Sequence, residues 1–407
     1  MSSILVQKYG GTSVGSPERI KAVAKRVLET LKHYSHVVVV VSAMGDTTDD
    51  LIKLAKDITT TPTPREYDAL ISTGENISAA LVAMAIQAQG GKAISLTGAQ
   101  AGVHTENTYS KAKILNVDPT RIRKELSEGK VVIVTGFQGV NDLHDVTTIG
   151  RGGSDTSAVV LAAALGAPVC EIYTDVDGVY TTDPRAVPTA SKLKEISYDE
   201  MLELASLGAK VLHPRSVECA KENNIMIHVR SSFVPDAGTM VKETSPMEIS
   251  RPVTGITLSE EEALISLNKI SDTPGTASTL FTQLAQAAVN VDMIIQSAEE
   301  NNRNTITYTV HEDDLNTAKT VTTSVAQELN AQNVTWDDSI AKISIVGVGM
   351  ISKPGIAARM FSALGKNGIN IKLISTSEIK ISCAISRTDG KKALALLHTE
   401  FELDKKQ

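Results

Sequence analysis

The feature that most restricts the fold of this chain is an internal repeat with an offset of 80 residues in its C-terminal part. Each copy predicts a strand, a loop with Pro-Gly, a helix, two strands and a second helix, and the first strands are expected at 263–270 and 341–348. Two βαββα units of this kind leave sheet edges free, so we expect them to pair edge to edge, and a dimer is expected to use the same edges. A duplicated structural spacer is the plainer explanation, but the matches include loop Gly and Asn as well as core positions. The matched pairs are Pro274/Pro354, Gly275/Gly355, Ala277/Ala357, Phe281/Phe361, Leu284/Leu364, Asn290/Asn370, Val291/Ile371, Ile294/Ile374 and Ser297/Ser377.

The first 245 residues have a different pattern, in which short β-branched runs alternate with longer helical stretches. This alternation is typical of an α/β domain built on a largely parallel sheet. The predicted strands lie at 37–41, 93–96, 131–134 and 171–173, and the predicted helices at 16–32, 77–89 and 155–165. Three prolines and little periodicity at 235–252 predict a linker between the two parts.

Composition excludes several classes of function. A chain of 407 residues needs two or three domains, and a net charge of −7 with 3% aromatic residues argues against a nucleic-acid binder. The three cysteines show no metal-site or disulfide spacing, which fits a reducing cytoplasm. We find no signal peptide or membrane-spanning run, so we predict a cytoplasmic protein without a membrane role.

A glycine turn follows the first apolar run of the chain, where residues 8–13 read Lys-Tyr-Gly-Gly-Thr-Ser. Adjacent glycines allow backbone N–H groups to approach an anion, and the helix that follows adds its N-terminal donors. Lys8 supplies a positive charge for the same oxygens. A glycine pair that only makes a bend is the simpler alternative, but Lys8 and the neighbouring hydroxyls favour a phosphate site.

A second glycine cluster, at 150–157, reads Gly-Arg-Gly-Gly-Ser-Asp-Thr-Ser and opens a predicted helix. Arg151 offers paired donors for a carboxylate or a phosphate. Ser154 and Asp155 are also common helix caps, so a purely structural role is a strong alternative for those two.

A third cluster, at 173–185, follows a strand, where ligands bind in open α/β sheets. Its Asp-x-Asp-Gly start resembles a calcium loop, but Ala186 stands where a bidentate Glu is required, so we reject that reading. A nucleotide pocket with Tyr180 near the base or ribose and Arg185 near phosphates fits the residue types better. The P-loop and protein-kinase signatures are absent from the sequence.

These segments and the tandem repeats closely resemble the aspartate kinases over the whole chain. The resemblance implies an amino acid kinase fold at 1–245, an eight-stranded, mostly parallel sheet between helices, in the α/β class. A linker with the first regulatory strand at 246–262 and two ferredoxin-like α+β ACT modules at 263–337 and 338–407 would follow. The implied reaction uses ATP with Mg²⁺ to phosphorylate the side-chain carboxylate of L-aspartate to 4-phospho-L-aspartate, towards lysine, threonine, methionine and diaminopimelate.

The resemblance also implies roles for individual residues. The catalytic group would be Lys8, Arg151 and Asp155, with Lys8 on the transferring phosphate, and we expect no protein-held metal. Aspartate would be bound by Thr47, Glu75, Arg151 and Ser154, with Arg151 on its α-carboxylate and Glu75 holding the site's cations in place. ATP would contact Lys8, Gly10, Gly11, Ser13, Thr174, Asp175, Tyr180, Arg185 and Lys210.

Regulation follows from the resemblance to ACT modules, which bind amino acids at module interfaces. We expect feedback inhibition by lysine and threonine acting together, in a homo-oligomer formed through these modules. A shorter regulatory chain beginning near Met247, giving an α2β2 assembly, is a further implication, and Met247 as a plain linker residue is an equal alternative. The expected effector residues are Asp272, Gly275, Asn290, Gln296, Met350, Gly355, Asn370, Thr376 and Glu378; ordinary loop packing is the alternative for each.

Two other functions remain open at this point. A kinase of the same fold that acts on glutamate or acetylglutamate would not usually carry two such repeats. A catalytically silent amino-acid sensor with a kinase-like body would not need the complete set of Lys8, Arg151, Asp155 and Lys210.

Overall fold

The computed structural model describes residues 4–209, 211–243, 251–299 and 302–405. These residues form two compact units, the first from 4–180 and 192–243 and the second from 181–191 and 251–405. Lys210 and Met247, both named in the sequence predictions, lie outside the described residues.

An eight-stranded sheet forms the centre of the first unit, with the order β10-β12-β11-β9-β1-β2-β6-β3. Every neighbouring pair is parallel except β11 with β12, which agrees with the predicted, mostly parallel sheet. A second sheet, with the order β5-β4-β7-β8, completes the strands of this unit. The strands are β1 (Ile4–Tyr9), β2 (His36–Val41), β3 (Ala93–Leu96), β4 (Val103–Thr105), β5 (Ile114–Val117), β6 (Val131–Thr135), β7 (Gln138–Val140), β8 (Val146–Thr148), β9 (Val169–Thr174), β10 (Glu195–Ile196), β11 (Met226–Ser231) and β12 (Thr239–Val241).

The apolar runs of the sequence become the central strands because helices cover both faces of this sheet. The five valines of β2 are all fully buried, as expected for a parallel strand in the middle of a sheet. The predicted strands and helices of this part are confirmed, and their ends differ from the predicted ones by at most four residues. The helices are α1 (Pro17–Thr30), α2 (Thr47–Ile58), α3 (Pro64–Ile71), α4 (Thr73–Ala88), α5 (Thr120–Ser127), α6 (Gly153–Leu165), α7 (Tyr198–Ser206) and α8 (Pro214–Glu222).

Helix α1 shows how the local sequence sets these elements. The side chain of Ser16 accepts a hydrogen bond from the Arg19 N–H, and Pro17 occupies the first helical turn, so the start of the helix is well defined. Ile20, Val23 and Val27 lie one helical turn apart and are buried against the sheet.

The predicted linker at 235–252 is wrong in part, because Thr239–Val241 forms strand β12 of the large sheet. The hydroxyl of Thr239 donates to the Leu193 carbonyl (2.6 Å) and accepts from the Val179 N–H (2.9 Å), which fixes the strand in the first unit. Such distant partners leave no periodic signal in a run of three residues.

The second unit contains both copies of the repeat in one six-stranded sheet, with the order β14-β15-β13-β16-β18-β17. The expected edge-to-edge pairing therefore occurs within the chain, through the long antiparallel strands β13 and β16. The elements are β13 (Gly255–Ser271), α9 (Thr276–Gln286), β14 (Val291–Glu299), β15 (Arg303–His311), α10 (Leu315–Glu328), β16 (Asn333–Val346), α11 (Ile356–Lys366), β17 (Ile371–Thr376), β18 (Lys380–Ser386) and α12 (Gly390–Glu400).

Matched positions of the two copies have matched environments. Leu284 on α9 and Leu364 on α11 are both buried, each in the apolar core of its own copy. Gly275 and Gly355 have φ angles of +99° and +92° and precede these two helices. Because a side chain is strained in that conformation, the repeated glycine reflects the turn geometry.

The segment 181–191 packs with the second unit, although the sequence prediction includes it in the first domain. Val187 lies in the apolar cluster that contains Leu394 and Leu397 of α12. The hydroxyl of Thr181 is hydrogen-bonded to Nε2 of the buried His398 at 2.9 Å. These contacts explain why the segment packs with residues that are far away in the sequence.

One apolar stretch of the described residues, Pro64–Ala88, is long and apolar enough to cross a membrane by length and composition alone. It corresponds to α3 and α4, and half of its most apolar part is buried within the protein. Core helices of globular proteins share this property.

Candidate active site

Four parallel strands of the first unit end at the same edge of the large sheet, and backbone hydrogen bonds tie together the loops that follow them. The strands are β9, β1, β2 and β6, which are neighbours in this order. Ligands bind at this edge in open α/β sheets. The bonds run from the Gly10 N–H to Tyr173 O (3.1 Å), from the Ser42 N–H to Tyr9 O (3.1 Å) and from the Gly136 N–H to Val41 O (2.9 Å).

The glycine turn after β1 packs closely on the loop after β2. A Cβ atom at Gly11 would lie 2.8 Å from the Ala43 carbonyl oxygen, and the Gly11 carbonyl accepts a hydrogen bond from the Gly45 N–H at 3.1 Å. A Cβ atom at Gly10 would lie 3.6 Å from Nζ of Lys8. Glycine at position 11 is thus required by the packing of the two loops, and Gly10 keeps the backbone open beside the Lys8 amine.

Lys8 and Asp155 form an ion pair that joins the two glycine clusters. Nζ of Lys8 lies 2.6 Å from Oδ1 of Asp155, and the two side chains are 10% and 13% exposed. Asp155 lies in the first turn of α6, where the helix dipole favours a carboxylate. The structure therefore brings together two of the three predicted catalytic residues.

The start of α6 is shaped by close packing. Gly152 has a φ angle of +71°, and a Cβ atom there would lie 2.2 Å from Cγ of His213. Ser154 is buried, and a Cβ atom at Gly136 would lie 2.7 Å from the Ser154 Cβ. Arg151, directly before Gly152 in this turn, is exposed and therefore accessible to a ligand.

Glu75 on α4 is a buried carboxyl group at the same edge. Its Oε1 accepts a hydrogen bond from the Ala43 N–H at 3.1 Å, while Oε2 is buried without a hydrogen-bond partner among the described residues. Burial raises the pKa of Glu75 to about 7, and the Ala43 N–H only partly opposes this effect. A ligand cation beside Oε2 would satisfy this group.

Thr47, the other residue expected near the substrate, begins α2. Its hydroxyl donates to the Met44 carbonyl at 2.6 Å, a bond within the loop that follows β2. A Cβ atom at Gly74, next to Glu75, would lie 3.5 Å from Cγ2 of Thr47, which places α2 and α4 in contact at this point.

The segment that follows β9 is held by its own polar contacts. The Thr174 hydroxyl donates to Asp175 at 3.0 Å, and the Tyr180 hydroxyl donates to Oδ1 of Asp177 at 3.0 Å. Nζ of Lys192 forms an ion pair with the same Asp177 carboxylate at 3.2 Å. Thr174 and Tyr180 are thus held by two carboxylates of the same cluster, and Lys192, which the sequence analysis did not single out, pairs with one of them.

Arg185 belongs to the second unit and pairs with the Asp183 carboxylate at 2.8 Å, with a side chain that is 89% exposed. Its predicted contact with ATP stays a prediction. The predicted ATP contact of Lys210 falls outside the described residues.

In the second unit, the expected effector residues lie on the turns before α9 and α11, on the edge strands β14 and β17 or directly before them, and, for Glu378, in the loop after β17. Asp272 accepts a hydrogen bond from the buried Asn304 side chain at 2.7 Å. Met350 packs against the core of the second copy, which agrees with a packing role for that residue. Gly275, Asn290, Gln296, Gly355, Asn370, Thr376 and Glu378 are exposed.

Sequence reasoning missed several residues of the site. Strand β6 ends at Thr135, and Gly136, which packs against Ser154, follows it. The Thr135 hydroxyl is buried without a partner among the described residues. The Thr-Gly pair after the run of β-branched residues was a usable signal, because it marks a strand end of the kind that carries ligand loops. Ser232, which contacts Ser13, had no comparable signal.

Comparisons with known proteins match both parts of the chain. The model of the amino acid kinase family matches residues 3–231, and that of the ACT domain matches residues 266–323 and 343–401. An aspartokinase of Geobacillus stearothermophilus is 52% identical over 400 residues, which cover 98% of this chain and 97% of the relative.

Solved structures show the same similarity. Escherichia coli aspartokinase III in complex with aspartate and ADP has a TM-score of 0.81 at 26% identity, over 98% of this chain and all of that chain. The complex of the same enzyme with lysine and aspartate has a TM-score of 0.77 at 26% identity, over 98% of this chain and 99% of that chain.

Proposed function

This chain belongs to the aspartate kinases, and we propose that the strand-end cluster around Lys8 and Asp155 is the site where the ATP γ-phosphate is transferred to aspartate. The observation that carries this proposal is the 2.6 Å contact between Nζ of Lys8 and Oδ1 of Asp155, which joins two glycine loops at a helix start. Glycine turns and helix N-termini bind phosphate, and Lys8 adds the charge that the reaction needs.

The proposed mechanism depends on positioning rather than on proton transfer. The side-chain carboxylate of free aspartate has a pKa of about 3.9, so at neutral pH it is already ionised and needs no general base. Two anions must then approach each other, and Lys8 together with the Gly10 and Gly11 backbone offsets their repulsion. Asp155 supports this role because it holds the Lys8 amine beside the start of α6.

Arg151 and Glu75 would orient the amino acid. The exposed guanidinium of Arg151 can bind the α-carboxylate through two parallel hydrogen bonds, which selects the carboxylate that faces the phosphate. The unpartnered Oε2 of Glu75 suits the α-ammonium group. Thr47 and Ser154 complete the proposed aspartate pocket, while Thr174, Asp175 and Tyr180 are the first unit's part of the proposed ATP site. The expected ATP contacts of Arg185 and Lys210 stay predictions.

Mg²⁺ would enter with the nucleotide. Among the described residues, no group of three or more His, Cys, Asp or Glu side chains is placed to hold a metal ion. Mg²⁺ commonly keeps several waters and is bound mainly by the phosphates of its nucleotide.

One assay tests this proposal against its rivals. ADP release is measured with aspartate, glutamate or N-acetylglutamate as acceptor, and the acyl phosphate is trapped with hydroxylamine as the hydroxamate. We expect ADP and hydroxamate in equal amounts with aspartate alone. A preference for either other acceptor would identify a different kinase of the fold, and no turnover with any acceptor would identify a sensor.

We further propose that lysine and threonine together inhibit the enzyme by binding to the second unit, and that the reaction is the first step towards lysine, threonine, methionine and diaminopimelate. The lysine complex of the E. coli relative supports an amino-acid effector. An effector shifts the enzyme only as far as its affinities for the two conformations differ. Initial rates with each amino acid alone and with both decide the matter, and equal rates in all conditions would refute the regulatory proposal.

Self-association through the edge strands of the second unit is the matching proposal for assembly. Ile294 on β14 and Ile374 on β17 occupy equivalent repeat positions and are 51% and 38% exposed. Unpaired edges of this kind invite pairing with another chain. Light scattering of the parent and of an Ile294→Lys variant tests this, and expression from Met247 alone tests the α2β2 alternative.

A further inference from the structure

We propose that Ser232 is a positioning residue that holds the phosphate loop and the nucleotide segment together; the inference rests on the proposed nucleotide site. Ser232 directly follows β11, which lies next to β9 in the large sheet. Its side chain and its backbone contact different parts of the site.

Three contacts carry the inference. Oγ of Ser232 lies 2.5 Å from Oγ of Ser13, the last residue of the phosphate loop. The N–H of Ser232 donates to the Thr174 carbonyl at 2.8 Å, at the start of the nucleotide segment. The Ser232 carbonyl accepts a hydrogen bond from Nη2 of Arg26 at 3.0 Å. One residue therefore joins the loop after β1, the end of β9 and helix α1.

The Arg26 contact makes this arrangement rigid. Its guanidinium lies 4.7 Å from the centre of the Tyr173 ring, and that ring stacks on Tyr9 with a centroid distance of 4.8 Å. Tyr9 and Tyr173 directly precede the two loops that Ser232 connects. The support for Ser232 thus comes from the same strands that carry the ligand loops, so the position of the Ser232 hydroxyl relative to them is well defined.

The Ser13–Ser232 hydroxyl pair determines whether the Ser13 hydroxyl hydrogen is available to a phosphate. Ser13 and Ser232 carry one hydroxyl hydrogen each, and one of the two is used between their oxygens. Ser13 Oγ also lies 3.5 Å from the Tyr173 carbonyl oxygen, a weak acceptor at that distance. When Ser232 donates to Ser13, the Ser13 hydrogen is released for a phosphate oxygen. Ser232 therefore sets both the rotamer and the donor direction of Ser13.

The expected effect falls on one substrate. Ser232→Ala should raise the KM for ATP about three- to tenfold, the range for one lost hydrogen bond, with the KM for aspartate unchanged. Ser232→Thr keeps the hydroxyl and should recover most of the loss. Ser382→Ala is the matched control, because Ser344 and Ser382 form a buried hydroxyl pair at 2.7 Å between strands β16 and β18 of the second unit.

A double-mutant cycle with Ser13→Ala separates a positioning role from a structural one. If Ser232 acts through Ser13, Ser232→Ala has no further effect on the KM for ATP in the Ser13→Ala background. An unchanged KM for ATP in Ser232→Ala, equal changes for both substrates, or additive effects in the double variant would overturn the inference while the proposed site stands. An unchanged KM for ATP in Ser13→Ala would refute the nucleotide role of Ser13, and the inference with it. Unfolding midpoints of all variants are measured first, and if Ser232→Ala is unstable, Ser232→Thr and Ser232→Cys carry the same comparison.

Discussion

Nζ of Lys8, at the end of the first strand, lies 2.6 Å from Oδ1 of Asp155, in the first turn of α6. The pair is little exposed, so the charge of Lys8 is held in place by a partner from the other glycine cluster. Preorganised charge of this kind stabilises a transition state without a reorganisation cost at the moment of reaction. The pair also explains why the two glycine clusters, far apart in the sequence, act at one place.

Replacing Lys8 by Ala should lower kcat by at least about a hundredfold, because the repulsion between the carboxylate and the phosphate is no longer offset. Steady-state kinetics measure the loss. Lys25→Ala, at an exposed position of α1, should leave kcat unchanged. Near-normal turnover in a folded Lys8→Ala protein would contradict the proposed role.

Arg151→Lys should raise the KM for aspartate about tenfold and leave the KM for ATP nearly unchanged. Lysine keeps the charge but cannot form two parallel hydrogen bonds with a carboxylate. The measurement is a pair of KM values with the other substrate saturating. Equal changes in both KM values would show that Arg151 does not bind the aspartate α-carboxylate.

Glu75 should make the stability of the free enzyme depend on pH. Its pKa is about 7 in the folded protein and 4.5 as the ordinary value, so the folded state keeps the proton to a higher pH than the unfolded chain does. The contribution of protonated Glu75 to the free energy of unfolding is therefore complete below pH 4.5 and is lost as the pH rises through about 7. The linkage amounts to roughly 3 kcal/mol at most.

The glutamine of Glu75→Gln cannot ionise. The free energy of unfolding of this variant, measured relative to that of the parent, should therefore increase as the pH rises from 5 to 8. Urea titrations without ligands at both pH values measure the difference between the two proteins. A difference that does not change with pH would show that Glu75 does not titrate in this range.

The sequence was sufficient for the central sheet because its strands are buried on both faces. A strand that is buried on both faces is a continuous apolar run, such as the valines of β2, and can be recognised from the sequence. The glycine clusters mark the strand ends where ligands bind in open α/β sheets. The repeat likewise predicted the second unit, because Leu284 and Leu364 are core residues in copies of the same motif.

Other features depend on partners that no local pattern reveals. The raised pKa of Glu75 results from burial among residues brought together by the fold, and its Oε1 accepts a hydrogen bond from Ala43 in a separate loop. Strand β12 is fixed by Thr239 contacts with Val179 and Leu193. The segment 181–191 packs with the second unit because Val187 is buried there, and a single valine among polar residues gives no such signal.

Gly136→Ala should reduce both stability and activity. The new Cβ atom would lie 2.7 Å from the Ser154 Cβ, so the start of α6, with Asp155, must move. Overpacking of this kind costs about 1–3 kcal/mol, and a misplaced Asp155 should lower kcat about tenfold or more. Urea unfolding and steady-state kinetics measure the two effects.

Gly365→Ala is the matched control, because an added Cβ atom there has no atom within 4 Å and the residue lies on helix α11. We expect the same activity and a gain in stability of up to about 1 kcal/mol. A Gly136→Ala enzyme that behaved like this control would show that α6 tolerates the displacement.

Lys342→Met should destabilise the second unit strongly. Nζ of Lys342 lies 2.7 Å from Oε1 of Glu262 and also pairs with Asp292, and both Lys342 and Glu262 are buried. Burial opposes the charge of Lys342, yet the two carboxylates raise its pKa. Removing the lysine leaves the Glu262 carboxylate buried without its counter-ion, which costs about 3–5 kcal/mol.

Trp336, the only tryptophan in the sequence, lies on the same strand as Lys342, so its fluorescence in urea reports the unfolding of this sheet. The double variant Lys342→Met/Glu262→Gln should recover part of the loss, because the glutamine carries no charge that needs a partner. If the double variant is no more stable than Lys342→Met, the loss comes from disturbed packing around the lysine stem rather than from the unpaired carboxylate.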